Sequence, residues 1–167
     1  MAVSQQWKLT RFTYFVDFLT TPALMAVSLL LGEWSIALFV LGALLWSLLE
    51  YGLHRFSFHR HFRKDHWAHH VNPQDYIGIS GLWISMLLGL LATVAYHFHG
   101  AALFSGFACG YWWYLCIHYC IHQPGNMLCW LFPTLVRNHE KHHQRGVEKN
   151  FGVTSPLWDY VLGTYAK

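Results

Sequence analysis

WSIALFVLGALLWSLLEYGLHRFSFHRHFRKDHWAHH, residues 34–70, runs an apolar stretch straight into six histidines. The apolar part is close to the roughly 20 residues a helix needs to cross a hydrocarbon core of about 30 Å. A second junction of the same kind follows, where the apolar run 101–121 ends in HYCIH (118–122) and leads on to HEKHH at 139–143. Ten of the thirteen histidines therefore fall into four clusters: His54 and His59; His66, His69 and His70; His118 and His122; His139, His142 and His143.

Working outward, hydrophobic residues make up 54% of the chain and charged residues only 11%, against roughly 25% charged in a soluble domain. Apolar segments cover about 12–31, 34–53, 77–98 and 101–121. The first holds Asp17, Thr20, Thr21 and Pro22, and a proline is tolerated in a spanning helix when neighbours satisfy the freed carbonyl. It is too long for a secretory signal and is followed at once by another apolar run, so it is expected to be retained. The connections at Gly32-Glu33 and His99-Gly100 are very short. The expected fold is an all-α integral membrane bundle of about four transmembrane helices, arranged as two hairpins, with a histidine-rich helical cap. At 167 residues a single domain, 1–167, is expected.

All eleven Lys and Arg fall on the side of the termini and the central loop, none at a hairpin tip. By the positive-inside rule that side is cytoplasmic, which places both termini and the regions 54–76 and 118–167 there. The net charge of +3 then describes one membrane face, with anionic headgroups the nearest partner, and a nucleic-acid partner is excluded. Cys109, Cys116, Cys120 and Cys129 show no CxxC spacing and read as small apolar residues with reduced thiols.

HWAHH and HEKHH each carry three imidazoles at helical spacing, read as facing one direction, and His118 and His122 form an i, i+4 pair. Pro124-Gly125 ends that segment. His54 and His59 lie five apart, about 140° around an α-helix, so a break or kink near residues 55–58 is expected if they share a site. One tetrahedral zinc takes four ligands. Ten histidines suit two metal ions with about five nitrogens each, and imidazole suits iron, zinc, copper or nickel. His61, His97 and His99 are read as lying outside the centre. Metal-bound histidines commonly give their other N–H to a carboxylate or carbonyl; Glu50 and Asp159 are the favoured candidates among Asp65, Asp75, Asn138 and Glu140. Arg55, Arg63, Lys64, Lys141 and Arg145 are candidates to meet headgroups or an acidic electron carrier.

With these residues in place, the chain resembles the fatty acid hydroxylase and sterol desaturase superfamily of integral-membrane enzymes. The resemblance rests on EYGLHRFSFH (50–59), HWAHH (66–70), HYCIH (118–122), HEKHH (139–143) and the tail NFGVTSPLWDYVLGT (150–164), and spans about 50–164. The order of its histidine boxes is most similar to hydroxylases acting beside the acyl carboxyl of sphingolipids. The resemblance implies a membrane di-iron oxidoreductase of lipid metabolism, in which the ten clustered histidines hold two metal ions and O2 is co-substrate. Zinc could replace iron in a preparation.

The chain departs from the longest family members in lacking an N-terminal b-type cytochrome domain, which implies a separate electron donor: a b-type cytochrome, or a ferredoxin with its reductase. The short interval between His59 and His66 is a second departure and bears on the substrate, expected to be a membrane lipid or acyl chain. Two other readings stand beside hydroxylation at the 2-position. One is a desaturase or a sterol or carotenoid oxidase of the same superfamily. The other is a histidine-rich metal transporter or sensor, which should place its ligands near the bilayer midplane. A zinc hydrolase is the weaker reading.

Overall fold

The computed structural model describes residues 4, 7–123, 125, 127–144 and 148–166; Pro124, Arg145 and Lys167 lie outside them. The elements among the described residues are helices: α1 (Arg11–Leu31), α2 (Ile36–Gly52) continuing as a π-helical stretch (Leu53–His61), α3 (Arg63–Val71), α4 (Gly81–His97), α5 (Ala101–Ile121), α6 (Met127–Leu131), α7 (Pro133–His142) and α8 (Leu157–Val161). It forms two compact units, 2–46 with 76–112 and 47–75 with 113–167.

In the first of these units, α1 starts at a reciprocal cap, Thr10 Oγ accepting from the Thr13 N–H and Thr13 Oγ from the Thr10 N–H. It runs through Pro22 without ending. Its buried residues are Asp17, Thr21 and Ser28, on one face, while Leu19 and Leu30 are 76% and 82% exposed. That is the reverse of a soluble amphipathic helix. Large apolar side chains are also exposed along α2 and α4, and α1 and the helix from Ile36 to His61 are long and apolar enough to cross a bilayer. An outward-facing surface of this kind suits lipid and not water, and the chain is a membrane protein.

Helix α1 packs along α4. Helix α2 meets α5 through glycines: a Cβ on Gly106 would lie 1.8 Å from the Phe39 carbonyl oxygen, and one on Gly42 2.0 Å from that of Leu103. Only a residue without a side chain permits this approach, as is usual where helices cross in lipid. Tyr111 donates to the buried Asp17 carboxylate, and Thr20 pairs with Ser85 at 2.6 Å. The third apolar segment begins later than expected. Residues 77–80 stay outside the helix: Ile77 pairs with Lys8, the Leu9 N–H donates to the Tyr76 carbonyl and the Gly78 N–H to that of Trp7. Helix α4 starts only at Gly81, where a Cβ would strike Asp17.

The other unit holds the end of α2, the π-helical stretch, α3, the end of α5, and α6 to α8. The expected break between His54 and His59 is absent. The helix widens instead: the Phe62 N–H reaches back five residues to Ser57. A π-helix turns less per residue than an α-helix, so residues five apart come nearer to one face and the pair enters one group with the backbone uninterrupted.

Candidate metal centre

The structure gathers the ten clustered histidines into two groups of five. The first is His54, His59, His66, His70 and His142; the second is His69, His118, His122, His139 and His143. Within each group one nitrogen per residue lies within 4.8 Å of all the others. His61, His97 and His99 are exposed and belong to neither. His99 instead meets Glu33 at 3.1 Å.

The two HxxHH motifs do not each point three imidazoles in one direction. Residues i and i+4 differ by about 40° around the helix, whereas i+3 lies about 60° the other way, so adjacent i+3 and i+4 diverge by about 100°. His66 and His70 accordingly enter the first group and His69 the second. His139 and His143 enter the second group and His142 the first. Each group thus takes an i, i+4 pair from one motif, the i+3 residue of the other, and one pair from an apolar helix end.

Nε2 atoms converge at short range. His66 Nε2 is 3.0 Å from the Nε2 of both His54 and His70, and those of His59 and His142 are 3.0 Å apart. In the second group His139 Nε2 lies 3.1 Å from that of His122 and 3.0 Å from that of His143, and His122 lies 3.3 Å from His118. One Nε2 has one hydrogen or one lone pair in the ring plane, so it cannot make a good hydrogen bond to two neighbours at once. Around an ion with nitrogens at about 2.1 Å, neighbouring ligands fall about 3.0 Å apart and opposite ones about 4.2 Å. The donor sets fit an ion in each group. His69 Nε2 is moreover buried without a partner.

Protonation favours the same reading. Burial, with neighbouring imidazoles adding to it, pushes His66, His69, His70 and His139 well below the usual histidine range, and brings His143 to about 3. His142 also falls to about 3, and burial alone takes His122 to about 4. At neutral pH these rings are uncharged, the form that ligates metal.

Two ring orientations are fixed from behind. His54 Nδ1 donates to the Phe151 carbonyl at 2.6 Å and His142 Nδ1 to that of Lys149 at 2.8 Å, leaving each Nε2 with its lone pair. The partners are backbone carbonyls, which no residue type marks in a sequence. Glu50 and Asp159 act one step further out. Asp159 accepts the N–H groups of Phe151 and Gly152 and the Thr164 hydroxyl. Glu50 accepts the N–H groups of Val153 and Thr154 and the Thr154 hydroxyl. Of the other candidates, Asp75 and Glu140 are exposed, Asp65 is half-buried, and Asn138 is buried with its Nδ2 unpartnered. Arg55 does not face outward as a headgroup or carrier contact would. It donates to the Tyr51 hydroxyl and lies 5.8 Å from the centre of the Phe151 ring, held there by the tail packed beside it. Arg63 and Lys64 are exposed and Lys141 is half-buried.

Two sets of five converging imidazoles, in a helical chain whose α1, α2 and α4 expose large apolar side chains, define the class: a membrane protein with a paired, all-nitrogen site. The chain belongs to the fatty acid hydroxylase family, whose model matches residues 39–164. The dihydroceramide fatty acyl 2-hydroxylase FAH2 of Arabidopsis thaliana is 39% identical, over 74% of this chain and 58% of its own length. The ceramide very long chain fatty acid hydroxylase SCS7 of Saccharomyces cerevisiae is 34% identical, over 77% of this chain and 38% of its own length. The chain therefore spans less than two thirds of either relative. A solved structure of full-length scs7p, with only its hydroxylase domain visible, matches with a TM-score of 0.70 at 27% identity, over 97% of this chain and 69% of that one.

Proposed function

We propose that this chain is an O2-dependent membrane oxidoreductase that hydroxylates a fatty acyl chain of a lipid, at the carbon beside the acyl carboxyl. Each histidine group holds one metal ion, iron in the active enzyme. The observation that carries this reading is the pair of five-imidazole groups in a chain of the fatty acid hydroxylase family. The relatives named as acting on dihydroceramide and ceramide acyl chains support the substrate class.

Iron held by these imidazoles would supply, with O2, the oxidant that an unactivated C–H bond requires and that no side chain provides. The residues of the chain do the rest. Neutral imidazoles present lone pairs; the carbonyls of Lys149 and Phe151 hold His142 and His54 in the Nε2-ligating tautomer. The all-imidazole donor set also accepts zinc, so zinc in a preparation is compatible with this chemistry. The electron donor in this reading is a b-type cytochrome, or a ferredoxin with its reductase.

We further propose a single domain with four spans in two hairpins, the termini and both histidine groups being cytoplasmic. The support is the one-sided placement of all eleven Lys and Arg. The test of function is to express the chain and His122→Ala in a lipid-rich host under labelled O2 and compare whole-cell lipids by mass spectrometry. Label in one lipid class, absent with the variant, is the expected outcome. Loss of two hydrogens without label means desaturation, and unchanged lipids despite tight metal binding revive the transporter or sensor.

A further inference from the structure

We propose that residues 149–154 form a positioning strap that serves the first histidine group and not the second, so that the two metal positions are unequally held. The inference rests on the metal-binding reading above and concerns how the chain supports each ion.

The strap is fixed along its length. Asn150 sits at φ 55, a conformation that asparagine tolerates better than most residues. Its side chain bonds both the N–H and the carbonyl of Ala166, and its own N–H reaches the Thr164 carbonyl. The accepting carbonyls of Lys149 and Phe151 lie on either side of it. Beyond, Asp159 grips 151 and 152, and Glu50 grips 153 and 154. Both carboxylates are buried, as are Asn150, Phe151 and Val153. Gly152 has no room for a side chain: a Cβ would stand 2.2 Å from the Ser155 carbonyl oxygen and 3.1 Å from Asp159. The Thr164 hydroxyl that reaches Asp159 also contacts the Tyr51 hydroxyl at 2.9 Å, and Arg55 donates to that same hydroxyl.

Both rings that the strap orients, His54 and His142, belong to the first group. Support in the second group differs. An unpartnered Nδ1 occurs in both groups, at His70 and at His139, so the difference lies in the two bonds from the strap, which both end on rings of the first group. Loss of a hydrogen-bond partner behind a ligand commonly costs about 10- to 100-fold in metal affinity. A weakened strap should exact that loss at one ion. Glu50 and Asp159 are thus positioning residues, acting through backbone on the imidazoles of a single group.

The experiment uses the full chain in detergent, loaded with ⁵⁷Fe(II), and compares wild type with Asp159→Asn and with the milder Thr164→Val. Helicity checks that each variant is folded. Mössbauer spectra report the two iron environments, and a colorimetric ferrous chelator reports release. The expected result is two irons in wild type. In each variant, one quadrupole doublet should change and one iron leave about 10- to 100-fold faster, while the other doublet and release rate stay at wild-type values. Thr164→Val keeps the test decisive if Asp159→Asn does not fold. Two irons lost in parallel, or both unchanged in a folded variant, overturn the strap and leave the metal reading standing. A folded wild type that takes up no iron overturns that reading, and the strap with it.

Discussion

Replacing Gly106 by alanine puts the apposition of α2 and α5 to a direct test. The added Cβ would stand 1.8 Å from the Phe39 oxygen, 2.6 Å from its carbonyl carbon and 2.9 Å from its Cα. All three are backbone atoms, so no side-chain rotation relieves the clash. Ordinary contact begins at 3.4 Å, so the helices must part by about 1.6 Å or bend. Overpacking of this kind costs about 1–3 kcal/mol, and a backbone obstacle puts Gly106→Ala at the upper end. Gly42→Ala, 2.0 Å from the Leu103 oxygen and 2.7 Å from the Phe107 nitrogen, should cost a similar amount. The double variant should cost clearly less than the two together, because the separation that admits one methyl admits the other. Gly89, with nothing within 4 Å of its Cβ position, is the control, and its alanine variant should be neutral or stabilised by up to about 1 kcal/mol. The assay is reversible unfolding of purified protein in mixed micelles, followed by far-ultraviolet circular dichroism. A Gly106→Ala protein within about 0.5 kcal/mol of wild type, or strict additivity with Gly42→Ala, would refute the close crossing.

Three further outcomes are expected. His139→Ala should lower the ion content of purified protein measured by plasma mass spectrometry, whereas His61→Ala, at an exposed residue outside both groups, should leave it at the wild-type value. Asp17→Ala removes the acceptor of the buried Tyr111 hydroxyl and should destabilise by about 1–3 kcal/mol in the same unfolding assay; a shift below 0.5 kcal/mol would argue against the buried pair. Stripping ions with a strong chelator should lower the thermal midpoint, because lone pairs packed about 3 Å apart lose the cation that draws them together. Adding iron or zinc back should restore it, and a midpoint indifferent to metal would count against the paired site.

Much of this was legible in the residues, because hydropathy marks the apolar helices and histidine spacing marks the side chains that a helix can bring together. The four apolar helices and the ten clustered histidines follow from those patterns. The start of α4 did not, since residues 77–80 are as apolar as a helix end but are drawn into pairing with the chain near Lys8. Nor did the His54–His59 geometry, because α-helical arithmetic does not anticipate nine residues of π-helix. The partition of HWAHH and HEKHH was present in the angular offsets of i+3 and i+4 but is masked when three histidines are read as one face. Backbone partners at Lys149 and Phe151 leave no mark in residue identity. The nearest signals were Gly152, where no side chain fits, and Asp159 in an otherwise apolar tail.

The crossed sharing of the two HxxHH motifs has a structural corollary. His66 and His70 from α3 share a group with His142 from α7, and His139 from α7, with His143 at that helix's C-terminal cap, shares one with His69 from α3. An ion in either group would therefore join the same two helices. With ions bound, the pair would act as a doubled cross-link, in which either ion alone would still join α3 to α7. Half-loaded protein should thus keep α3 and α7 joined while lacking a complete centre, and metal counts are what tell it from the fully loaded form.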